Sequence, residues 1–144
     1  MGQATYMKVW LAVCLSVSVS TVFSQTNSRI KLPNTGFEDG VDDNGLAVKW
    51  NIHPATPIGK VTEERSHSGK TALKFFDESN TQSYAIQSDL YPAVPGETYR
   101  ATSWVYNESG SGWLYLEFYE DSVNRLTEQI VRVTTSGEWT QAVA

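Results

Sequence analysis

Five large rings stand in the second half of the chain, Trp104 and Tyr106 in ATSWVY and Trp113, Tyr115 and Tyr119 in GWLYLEFYE. In an extended segment, residues two apart share a face. Arg100 therefore sides with Trp104 and Tyr106, and Glu117 with Trp113, Tyr115 and Tyr119. Gln87 is expected on a neighbouring strand. Flat amphipathic rings beside planar hydrogen-bonding side chains suit a rigid surface that holds a ligand with apolar C–H faces and a rim of hydroxyls. The competing reading is that single members pack the core, Trp104 for instance, or that a neighbouring domain covers the outer rings.

Other chemistry is poorly provided for. Glu117, Glu120 and Asp121 are the candidate paired carboxylates of a hydrolase, but only Glu117 falls on the ring-bearing face. His53 and His67 have no convincing Ser or Asp near them in sequence, which leaves a nucleophilic triad without its parts. No catalytic residue is assigned, and the chain is not expected to be an enzyme in its own right. Asp39, Asp42 and Asp43 lack the alternation and closing Glu of an EF-hand and read as a solvated turn. Asn107-Glu108-Ser109 fits the N-glycosylation acceptor pattern and is expected in a turn.

The elements that must position these residues begin after the first 24. Lys8 followed by the apolar run from Val9 to Phe23 has the form of a secretion leader, with Val22 and Ser24 as the small residues before a cut that leaves Gln25 first. The run of ~15 residues is shorter than the ~20 a membrane span needs. The product is expected to be extracellular, periplasmic or at the cell surface, with no membrane association once cut. The single cysteine, Cys14, falls inside the leader, so disulfides and thiolate sites are excluded from the remainder. A net charge of −5 speaks against nucleic acid, whose binding needs a basic surface.

Downstream, no 3.6-residue apolar period is sustained. Short alternating runs are fenced instead by Gly, Pro, Asn and Ser. Strands are expected at 34–38, 50–53, 60–64, 71–76, 84–90, 99–106, 113–120, 126–134 and 138–144. The pair 60–64 and 71–76 should form a hairpin turning at Gly69. Such spacing is that of an all-β, two-sheet antiparallel sandwich or jelly roll.

Taken in order, Asn34-Thr35-Gly36-Phe37-Glu38, Trp50, Ser66-His67-Ser68-Gly69-Lys70-Thr71-Ala72-Leu73, Pro95-Gly96-Glu97-Thr98-Tyr99, Ser103-Trp104-Val105 and Gly137-Glu138-Trp139-Thr140 resemble the carbohydrate-binding modules of the galactose-binding-like jelly-roll group, families four, nine, sixteen and twenty-two. The resemblance covers nearly everything from Asn34 to Thr140. It implies a polysaccharide or oligosaccharide partner, held by Trp104, Tyr106, Trp113, Tyr115, Glu117, Tyr119, Gln87 and Arg100. It also implies a structural Ca²⁺ at Glu38 with backbone oxygens near Ser66 and Lys70, and attachment to a glycoside hydrolase or polysaccharide lyase. The family carries one or two further strands, including one with an Asp that would complete the ion's shell, so the sequence is expected to be part of a longer protein. The organisation expected is a leader over 1–24, a lead-in over 25–33 and an incomplete module over 34–144. The alternative is a structural or interaction sandwich in a larger surface protein.

Overall fold

The computed structural model describes residues 5–12, 17–21, 29–53, 59–76 and 84–144. Its strands, in chain order, are β1 (Thr5–Ala12), β2 (Val17–Thr21), β3 (Arg29–Ile30), β4 (Asn51–His53), β5 (Gly59–Thr62), β6 (Ala72–Phe75), β7 (Ala85–Gln87), β8 (Tyr91–Ala93), β9 (Tyr99–Tyr106), β10 (Gly112–Tyr119), β11 (Arg125–Val133) and β12 (Trp139–Val143). The described residues contain no helix, and every strand ladder is antiparallel. A six-stranded sheet has the order β11-β10-β1-β7-β4, with β8 also beside β1. A four-stranded sheet runs β12-β9-β2-β3, and β5 pairs with β6.

The apolar sides of these sheets share one buried cluster. Met7, Val9, Ile86, Leu114 and Leu116 come from the larger sheet, Ala101, Val105 and Ala142 from the smaller, and Leu73 from the hairpin. Strand β10 shows how the sequence produces this. Leu114 and Leu116 are buried while Trp113 and Tyr115 stay half-buried on the opposite side, as period-two alternation requires. The β5–β6 hairpin and β9 also form where alternation puts them, and Gly69 supplies the positive φ of 69° its connection needs.

Three elements differ from expectation. Residues 34–38 form a turn and not a strand, because Asn34 and Phe37 take positive φ values of 48° and 61°. Asn34 holds this shape through its side chain, with Nδ2 donating to the Val48 carbonyl and Oδ1 accepting from Asp39 N–H, while its own carbonyl accepts from Trp50 Nε1. Strand β8 contains Pro92 yet pairs, since only β1 borders it and the missing N–H faces no partner on the other side. The segments 5–12 and 17–21 form sheet strands. The expected cut after Ser24, and Cys14, lie outside the described residues.

Asn107 is also placed differently from a glycan acceptor in a turn. It is buried, and its Nδ2 donates to both Val133 and Thr135 carbonyls at 2.9 Å. Its carbonyl accepts from Ser136 Oγ and Gly137 N–H. One side chain thus ties the end of β9 to the end of β11 and the start of β12. Asn107→Ala should leave the buried Val133 carbonyl and the partly buried Thr135 carbonyl without their donor, costing about 2 kcal/mol. Chemical denaturation of the variant, compared with the parent at equal m-value, checks this.

Candidate functional site

The eight residues expected on one binding face divide between two sheets. Gln87, Trp113, Tyr115, Glu117 and Tyr119 belong to the six-stranded sheet, and Arg100, Trp104 and Tyr106 to β9 of the four-stranded one.

On the larger sheet, Trp113 and Tyr115 form a pair with ring centroids 6.3 Å apart and planes inclined by only 24°. Both are half-buried, so each ring is fixed at its base with part of its surface open. Backbone register gives the neighbours of the pair. Tyr115 pairs with Ile130 of β11 and with Trp10 of β1, which in turn pairs with Gln87. Directly opposed residues share a face, so Gln87 lies two strands from Tyr115, about 10 Å away. Its Oε1 is buried and finds no hydrogen-bond partner among the described residues. On the other side Trp113 is opposite Arg132, whose guanidinium lies 5.1 Å from the indole centroid. Burial, with the Glu128 and Glu117 carboxylates nearby, pushes the Tyr115 phenol above its ordinary range, so it stays a neutral hydroxyl able both to donate and to accept.

Glu117 and Tyr119 do not present themselves on this face as expected. The Glu117 carboxylate is 3% exposed. Its Oε1 accepts from Arg125 Nη1 at 2.5 Å and its Oε2 from the Tyr119 hydroxyl at 2.6 Å. Lys8, in register with Glu117, brings its ammonium 5.5 Å from the Tyr119 ring centre. The reason is that a buried carboxylate persists only when bonded, and Arg125 and Tyr119 cover both Glu117 oxygens, with the register of Tyr119 itself shifted by a bulge after Phe118. Both oxygens are consumed in the protein's own network, and Arg125, shared with Glu128, is the member that reaches solvent.

On the smaller sheet the rings serve a different partner. His67 lies flat on Trp104, centroids 4.0 Å apart and planes 12° apart, and meets Trp139 edge-on at 5.4 Å. Tyr106 meets Trp139 at 5.6 Å, and Arg65 stacks over Tyr106 at 4.1 Å. The connection between β5 and β6 is thereby laid across Trp104 and Tyr106. Arg100 shares their side of β9 and is exposed. Arg65, Arg125 and Arg132 were not singled out in the sequence, and His67 and Trp139 were named there without a role on a ring-bearing face. For Arg132 and Trp139 the signal was there, since each follows the period-two phase of its own strand.

Glu38 reaches the same connection. Its Oε1 accepts from the Lys70 N–H at 2.6 Å and the Thr71 N–H at 2.9 Å, and Thr71 Oγ1 donates to the Gly36 carbonyl. Ser66 Oγ donates to the Gly69 carbonyl. A Cβ on Gly69 would collide with the Glu38 carboxylate. Calcium takes six to eight oxygens, whereas this arrangement offers one carboxylate with an oxygen already occupied by two N–H donors. No group of three acidic, His or Cys side chains that could hold a metal occurs among the described residues. As it stands the arrangement is a staple joining the 34–38 turn to the hairpin.

The backbone bonds from Thr71 and then Lys70 hold the Glu38 carboxyl below its ordinary value of 4.5. A depressed folded-state pKa means that the contribution to stability is present above the unfolded value and is lost as pH falls through the folded one. The melting-temperature gap between parent and Glu38→Gln should therefore be full at neutral pH and shrink below about pH 4. Melts across pH 3 to 7 check it.

Comparison of the chain with protein-family models, with curated proteins and with solved structures finds no match to any of them.

Proposed function

We propose that the chain is a non-catalytic polysaccharide-binding module of jelly-roll sandwich type, exported as part of a glycan-degrading protein, and that it stacks sugar rings on Trp113 and Tyr115. The near-parallel, half-buried ring pair on a strand with neighbours on both sides carries the reading. Rigid placement matters because a weak ligand returns little energy with which to order loose side chains. Arg132 borders the pair with its guanidinium 5.1 Å from the Trp113 ring centre, a donor cluster of the kind a rim of hydroxyls requires. A sandwich is consistent with the shared core beneath both sheets.

The absence of catalysis in this proposal is supported by Glu117, whose two oxygens are held by Arg125 and Tyr119. Binding without chemistry is useful through tethering, which keeps an attached enzyme at high local concentration on its substrate. An interaction domain is the second reading, favoured by Leu126 and Ile130, both exposed on edge strand β11.

Affinity electrophoresis of the folded chain through gels containing soluble plant or marine polysaccharides tests the proposal. Retardation by at least one glycan, unchanged by moderate salt, is expected. Free migration in every gel overturns it.

A further inference from the structure

Strand β1 is interior. Seven of its residues, Tyr6 to Ala12, are in register with β10, while its other edge pairs with β8 through Thr5 to Met7 and with β7 through Trp10 and Leu11. Between those two stretches Val9 makes a separate clasp: its carbonyl accepts from Ser88 N–H at 2.9 Å, and its N–H donates to Ser88 Oγ at 3.2 Å. Ser88 is buried, so the clasp is built for a strand's backbone and not for water. Met7 and Val9, two apart, are fully buried, which is the spacing by which an added strand fills successive pockets. The neighbouring segment repeats this in the smaller sheet, where β2 is bordered by β9 over five residues and by β3.

We infer that the groove between β10 and the β7–β8 edge is a strand-acceptor site whose occupant is the chain's own N-terminal segment 5–12, and that this segment remains seated when the chain is cut behind it. The inference goes beyond the glycan reading and does not depend on it. It concerns the segment that the sequence presents as a removable leader. A leader-like composition and a strand's needs coincide here: apolar residues two apart for the core, and Lys8 in register with Glu117. Loss of the segment would expose the full pairing edge of β10 together with those of β7 and β8, a costly opening of the kind proteins cover. It would also uncover Glu117 and Tyr119, which lie beneath Lys8 and Arg125. A cut after Ser24 thus turns a covalent strand into a donor strand held by the ladder and by the Met7 and Val9 pockets.

The test uses the whole chain with a protease recognition sequence inserted after Ser24. The purified folded protein is cut, passed through native size exclusion and examined by mass spectrometry and by hydrogen exchange. The N-terminal fragment is expected to co-elute with the remainder, and the amides of 6–12 and 113–119 are expected to stay at least 100-fold protected, as in the uncut chain. In Val9→Asp, cut in the same way, that protection should fall at least tenfold. For a Val9→Asp chain that does not fold, Ser88→Ala, which removes only the Oγ acceptor, takes its place with a faster release of fragment. Separation of the unsubstituted fragment, or co-elution without protection of 6–12, overturns the inference whatever the remainder does.

Discussion

Trp113→Ala is expected to abolish retardation in the gel that slows the parent most, with an affinity loss of about 10- to 100-fold. A large apolar ring taken out of water contributes about 1.5–3 kcal/mol, and each 1.4 kcal/mol is a factor of ten. The side chain is half-buried on β10 and contributes nothing to the buried cluster beneath, so the variant should fold and melt close to the parent. Trp104→Ala supplies the contrast. Its ring lies under His67 on the other sheet, and its removal should leave retardation intact while loosening the connection between β5 and β6. Loss of retardation in Trp104→Ala and not in Trp113→Ala would move the site to the smaller sheet.

The largest effect on stability is expected at Trp50. The residue is 5% exposed, packs against Phe37 with ring centroids 5.8 Å apart, and donates its indole N–H to the Asn34 carbonyl at 3.0 Å. Truncation to alanine should cost about 3–5 kcal/mol through lost burial and the cavity left behind, a fall in melting temperature on the order of 10 °C. Trp50→Phe keeps most of the volume and loses only the hydrogen bond, so its cost should be about 1–2 kcal/mol. Equal losses in the two variants would show that the indole bond, and not the packing, holds the 34–50 loop. Thermal melts of both variants beside the parent decide the matter.

Strands such as β9 and β10 could be read residue by residue because large side chains alternate there between glycine- and proline-bearing turns. Alternation states which residues share a face of one strand, but it is silent about which strand lies alongside. Trp104 and Trp113 each follow the ring-bearing phase of their strands, yet β9 and β10 enter different sheets and Trp104 packs against the buried cluster while Trp113 does not, so the expected single face becomes two ring clusters. Glu117 shows a second limit. Period two put it outward with Trp113, but the shift after Phe118 and the proximity of Arg125 and Lys8 were invisible without register.

The N-terminal strands were hidden for a different reason. An apolar run behind a lysine satisfies a leader as well as it satisfies a core. The strict Val17-Ser18-Val19-Ser20 alternation is the signal of the strand that forms there. The turn at 34–38 was missed although Pro33, Asn34 and Gly36 stand together, a grouping that favours turns over strands. Side-chain capture of backbone groups by Asn34 is the physical cause, and it competes directly with a ladder.

Sugar stacked on Trp113 and Tyr115 would lie against the Trp113 indole and away from those of Trp104 and Trp139. Indole N–H resonances of ¹⁵N-labelled protein, assigned by substitution and followed during titration with an oligosaccharide cut from the retarding polysaccharide, report on it most directly. The account predicts that the Trp113 signal shifts and saturates while those of Trp104 and Trp139 stay in place. Shifts confined to Trp104 and Trp139, or no shift at any indole, would contradict it.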